Sequence, residues 1–180
     1  MSVYKGILLA IFISLSGHAA HAEDCLNNLP QSVRSTVEQD NWTILQPHDL
    51  AGNDLTLWRL NHPGECPGVT SGDFYPKGKP AFLVALIQRD PTQGSDQKNL
   101  LEKLMLVYIK KDQPISQVVV PPAQVAAPLV VWKIRPGHYL GIDGTKATIS
   151  RDSFIYEKLA GPSQQFYYDG TRLKSFVISR

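Results

Sequence analysis

The residues able to do chemistry in this chain are few and scattered. A serine hydrolase needs a serine activated by a histidine, with an oxyanion hole beside them. Ser153 follows Asp152 and His138 lies upstream, but the chain contains no GxSxG elbow. Ser153 therefore reads as a turn serine that bonds the backbone ahead of Phe154. Asp73, Asp143, Asp152 and Glu157 are available as the paired carboxylates of a glycosidase, although sequence sets no separation between them. His62 with Glu65, and Asp49 with Asn53 and Asp54, come nearest to a ligand cluster, and neither follows an EF-hand or comparable metal spacing. The glycines between His62 and Gly78 match neither GxGxxG nor GxxxxGK, so no phosphate-cradling loop is read. The sequence assigns no catalytic residue, no metal ligand and no cofactor.

Binding chemistry has better candidates. The segment Asn61-His62-Pro63-Gly64-Glu65-Cys66-Pro67-Gly68 is polar and rich in turn formers. Cys66 has one possible partner, Cys25, and an isolated pair in an exported protein forms a disulfide. Neither cysteine has the CxxC spacing of a metal pair. The bridge would close a loop of about 42 residues, worth on the order of 4 kcal/mol in the chain-entropy model. A loop held in this way loses little entropy on binding. His62 and Glu65 are thus candidate contact residues, with Asp73 further along the same loop; the alternative is a structural turn pinned by its disulfide. Tyr156, Phe166, Tyr167 and Tyr168 add an aromatic set near the C-terminus. Alternation sends Phe166 and Tyr168 to one face and Tyr167 to the other, so at least one tyrosine is expected at the surface. Tyr156 and Tyr167 join the candidates for protein or sugar contact, against ordinary sheet packing as the alternative.

The first 22 residues read as an address. Lys5 supplies the positive charge, residues 7–15 are apolar but for Ser14, and Ala20-His21-Ala22 is a small-x-small cleavage pattern. The apolar run falls well short of the roughly 20 residues that span a bilayer. Cleavage is expected before Glu23, the alternative being an uncleaved anchor. Asp24 stands where a lipoprotein signal places a small residue, so Cys25 is not read as a lipid attachment point. Residues 23–180 are expected to form one domain, periplasmic or secreted, with no later transmembrane segment. A hydrophobic content of 43% gives this domain a core. Eighteen basic against 16 acidic residues gives no electrostatic case for nucleic acid.

The elements that must position these residues follow from periodicity. Asn28-Leu29-Pro30 starts a helix, with Asn28 as cap and Leu29, Val33 and Val37 as its apolar stripe, ending by Asn41. Residues 42–45 and 55–61 read as short strands around the turn Gly52-Asn53-Asp54, and residues 62–79 as an irregular loop. The continuous apolar run 81–87 suits a strand buried on both faces. Residues 89–98 make a polar connection. Residues 100–109 have helical spacing at Leu100, Leu104 and Tyr108, yet pairing back on 81–87 favours a strand. Runs 118–120 and 129–134 are broken by Pro121-Pro122 and Pro128, which places them at sheet edges. Asp143-Gly144 between 138–142 and 146–149 predicts a hairpin with a type I′ turn, and the pattern returns at Asp169-Gly170. The expected fold is α+β: an N-terminal helix packed on a curved, mainly antiparallel β-sheet.

Two resemblances bear on function. Cys66-Pro67-Gly68, Gly72-Asp73-Phe74, the run 81–87, the segment 152–157 and the segment 165–170 resemble small exported proteins of Gram-negative bacteria, a group that brings no activity with it. The braced, histidine-bearing loop loosely resembles that of periplasmic lysozyme inhibitors. There two cysteines flank the loop closely, whereas here the second lies 41 residues upstream. The leading expectation is a non-catalytic periplasmic module, of inhibitor or immunity type, that binds another periplasmic or extracellular protein. The alternatives are an envelope hydrolase acting on a cell-wall or sugar substrate, and a binder of a small ligand within the sheet.

Overall fold

A computed structural model describes residues 25–75, 80–89 and 100–180. The expected leader lies outside these residues, as does most of the expected polar connection at 89–98. The architecture is mainly β, built from antiparallel sheets with a few short helices.

The long apolar run forms β3 (Ala81–Arg89), which pairs with β4 (Leu100–Lys110) from Ala81↔Tyr108 to Arg89↔Leu100. The ambiguous segment at 100–109 is therefore a strand. Its alternation serves two cores at once. Leu83, Ala85, Leu104 and Leu106 face one cluster, while Val84, Leu86, Met105 and Val107 face another. A strand covered on both faces has no solvated positions, which is why its sequence shows no polar alternation.

The turn from β4 into β5 (Gln113–Val125) has Lys111 at φ 49° and Asp112 at φ 62°. Both central residues being left-handed is the type I′ signature, so that turn occurs here rather than at the expected place. At Asp143-Gly144 and Asp169-Gly170 only the glycines are left-handed, at φ 83° and 101°. There the aspartates fold the turn by accepting backbone N–H bonds, from Thr145 to Asp143 and from Thr171 to Asp169, each at 2.9 Å. Strand β5 also runs through Pro121-Pro122, where a break was expected. Among the described residues it pairs only with β4, and the register shifts opposite the prolines, between Glu102 and Met105. Missing N–H groups cost little at a bulge on an edge strand.

The other edge of β3 is shared. β1 (Thr43–Ile44) pairs with Leu86 and Ile87, and β2 (Val69–Gly72) with residues 81–84. β2 lies inside the stretch expected to be irregular throughout, and as a short edge strand it tolerates the surrounding glycines. A second sheet contains β6 (Val130–Ile134), β9 (Ser153–Glu157), β10 (Ser163–Tyr168) and β11 (Leu173–Ser179), in the order β11-β10-β9-β6. β7 (Gly137–Leu140) and β8 (Lys146–Ile149) form a separate hairpin. The expected one sheet is thus two sheets and a hairpin. Leu83 and Leu104 from the first sheet share a core with Val130, Phe154 and Phe166 from the second.

Two short helices complete the frame. Helix α1 (Gln31–Val37) starts after Pro30 and ends before Asp40 and Asn41, both left-handed, so it is shorter than expected. Its Val33 and Val37 belong to the cluster that holds Leu29, Val84, Leu86 and both cysteines. Residues 55–61, expected as a strand, instead lie in α2 (Asn53–Asn61). Asp54 in its first turn favours the helix through the macrodipole. Helical spacing buries Trp58 at 1% exposure and leaves Leu60 75% exposed, a division that strand alternation would not produce. The disulfide Cys25–Cys66 is formed, with a Cα separation of 5.6 Å. Among the described residues no helix is long and apolar enough to cross a membrane.

Candidate functional site

The site is built on α2 and the loop that leaves it. Trp58 and His62 are one helical turn apart, and their rings stack at 4.2 Å with planes 20° from parallel. The Trp58 indole N–H donates to the Glu65 carbonyl at 3.0 Å, which pins the loop back onto the helix. His62 Nδ1 lies 3.5 Å from Glu65 Oε2; the histidine side chain is largely covered while that of Glu65 stays 60% exposed. From β6, the Trp132 ring also packs on His62, tilted by 47° with centroids 5.0 Å apart. The Trp132 indole N–H donates to Glu157 Oε1 at 3.1 Å. Burial raises the Glu157 carboxyl above the ordinary carboxylate range, against the downward pull of the Trp132 N–H and of His62.

The remainder of the loop is anchored to both sheets. The Pro67 carbonyl accepts the Val131 N–H at 2.8 Å, and the Gly68 carbonyl accepts the Ala85 N–H at 2.8 Å. Cys66 adds the covalent tie. Pro63, Gly64 and Glu65 remain exposed at the tip. Beside them runs an open groove of about 390 Å³, lined by Gly64 and Glu65 of the loop, Val69, Thr70 and Ser71, and Lys133 of β6. A Cβ at Gly72 would lie 2.7 Å from Asp152 Oδ2 and 2.9 Å from Lys133 Cδ, so glycine lets these two side chains close over β2. Opposite charges, Glu65 and Lys133, thus stand on the groove walls.

The other candidates take different places. Asp73 is ion-paired with Arg151 at 2.9 Å, and its N–H donates to Asp152 Oδ2 at 3.1 Å. It lies one residue beyond β2, next to the groove, with its charge already matched. Tyr156 is buried, and its hydroxyl donates to Glu102 Oε1 at 2.8 Å; it is a core residue and not a surface contact, because β9 is covered on both faces. Tyr167 is half-buried and packs edge-on against Phe176 at 5.9 Å, in a cluster with Ala147 and Ile149 of the hairpin. The structure therefore brings His62 and Glu65 together and leaves both tyrosines apart from them. Trp58, Trp132 and Lys133 were missed, and Glu157, read as a candidate paired carboxylate, instead accepts the Trp132 indole N–H. A helical reading of 55–61 would have found Trp58, since it puts that indole one turn before His62.

The hydrolytic candidates are engaged elsewhere. Ser153 is buried and accepts a bond from Gln165 at 2.9 Å, while His138 shares a 3.0 Å bond with Thr148. Asp143 holds a hairpin turn. Among the described residues no group of three His, Cys, Asp or Glu side chains is placed to hold a metal ion. No protein-family model, curated protein or solved structure matches the chain.

Proposed function

We propose that the chain is an exported, non-catalytic module that binds another periplasmic or extracellular protein through the tip of the 62–68 loop and the groove beside it. The observation that carries this reading is the Trp58–Glu65 hydrogen bond. With the disulfide, it holds an exposed, charged tip in one conformation before any partner arrives. Pre-ordering reduces the entropy lost on association, and charges on the groove walls select a complementary surface. The disulfide supports an oxidising compartment, in keeping with the leader-like N-terminus. Helix α1, packed on the first sheet, holds the Cys25 end of the brace. An inhibitor or immunity role is the form of protein binding that suits a rigid, protruding loop, and the group of small exported proteins that the sequence resembles is where we place it.

The test is capture from envelope extract on the immobilised mature protein. Wild type retains a discrete partner. Glu65→Lys and Lys133→Glu each lower its recovery by about tenfold or more, the equivalent of ~1.4 kcal/mol. Both changes lie at exposed positions, so circular dichroism should be unchanged. Equal recovery by wild type and both variants would remove the loop and groove as the contact.

A further inference from the structure

We propose that Glu102 is a proton-controlled latch between the two sheets: its protonated form keeps the seam closed, and its ionised form favours opening. Glu102 sits on β4 of the first sheet and is 1% exposed. It faces the shared core, as the alternation of Leu100 and Leu104 on either side requires. Tyr156 of β9, in the second sheet, donates its hydroxyl to Oε1 at 2.8 Å. The Leu129 N–H, just ahead of β6, donates to Oε2 at 2.9 Å. One carboxyl group therefore joins both sheets, at the place where the chain crosses from β5 to β6.

Among the described residues no cation is paired with its charge. Ile87 of β3 and Ala123 of β5 lie opposite it in the ladders. Two residues beyond Ile87, Arg89 shares this face, but its guanidinium is held by Asp49 at 2.8 Å. Lys103 points to the other face, over the Trp42 ring at 4.1 Å. Lys133 of β6 lines the groove, Glu157 at the end of β9 is taken up by Trp132, and Gln124 of β5 is neutral. Among the described residues, Tyr156 is the only titratable group hydrogen-bonded to Glu102, and it remains protonated because burial and the Glu102 charge both drive its ionisation far up. Burial pushes the Glu102 carboxyl up to about 7, against two bonds that favour the charge.

The direction of the effect follows from linkage. The folded chain holds the Glu102 proton more tightly than the unfolded chain, so stability falls as pH rises from the unfolded value of 4.5 through about 7. Between pH 5 and pH 8 the contribution of this group to the folding equilibrium constant drops on the order of a hundredfold. The experiment compares unfolding of wild type and Glu102→Gln across that range. Glutamine can accept from Leu129 and donate to Tyr156, so it mimics the protonated form at every pH. The expected result is a wild-type profile that falls below that of the variant as pH rises through about 7, with the two converging only as pH drops below the unfolded value of 4.5. Parallel profiles would overturn the proposal. A carbon-13 titration of the Glu102 carboxyl in the wild-type protein gives an answer even where the variant fails to fold. A midpoint near 7, moving higher in Tyr156→Phe, supports the latch, and a midpoint near 4.5 refutes it.

Discussion

Near Gly68 two segments converge on one residue of β3, Ala85. The Ala85 N–H donates to the Gly68 carbonyl at 2.8 Å, and the Leu45 N–H donates to the Ala85 carbonyl at 3.0 Å. A Cβ at position 68 would collide with the backbone carbonyl of Leu45, which cannot swing away as a side chain can. Gly68→Ala should therefore cost about 1–3 kcal/mol, read as a lower urea midpoint with an unchanged slope; an unaltered midpoint would mean that the approach is not close. Single residues differ in how openly the sequence declares them. The disulfide was legible because two cysteines leave one pairing. Tyr156 was not, since alternation along β9 says which face a side chain takes but not how many layers cover that face. Glu102 was hidden further, because Glu102-Lys103 in an apolar run reads as a charged pair reaching water, while the pleat sends the two to opposite faces.

Elements were legible where one period dominated. The run at 81–87 has a single explanation, and β4 followed from it because a hairpin is the nearest partner. Helix α2 was misread because its nine residues are few, and Leu55-Thr56-Leu57 within them alternates as a short strand does. The two Asp-Gly hairpins were located correctly, yet their turns are not of the expected I′ type, which occurs instead at Lys111-Asp112. Asp143 and Asp169 bend the chain with side-chain bonds, while Lys111 and Asp112 adopt left-handed conformations with neither a glycine nor an asparagine between them. Such conformations cost roughly 1–2 kcal/mol at an ordinary residue. Replacing Lys111-Asp112 by Asn-Gly should accordingly raise stability by about 1 kcal/mol, a gain of about 2–4 °C in the thermal midpoint. A midpoint that stays level or falls would show that this turn is not of the I′ type in solution.

At the scale of the molecule, the two sheets share one core, and the disulfide ties the start of the described chain to the loop that rises between them. Closing about 42 residues covalently is worth on the order of 4 kcal/mol, a large part of the ~5–15 kcal/mol typical of a domain. The same bond that supports the fold therefore also immobilises the proposed contact. Sequence alone identified the loop and its brace, since turn formers and a cysteine pair are local signals. It did not identify Trp58, Trp132 or Lys133 around the loop, since these arrive from a misread helix and from a strand of the other sheet. The account rests on the loop tip being the surface that a partner covers. A photo-cross-linking residue placed at position 65, with a second at the exposed Val118 on the far edge of the first sheet as reference, tests this in the intact protein. Discrete adducts from position 65 and none from 118 are the predicted outcome; adducts from 118 alone, or from neither position, would contradict it.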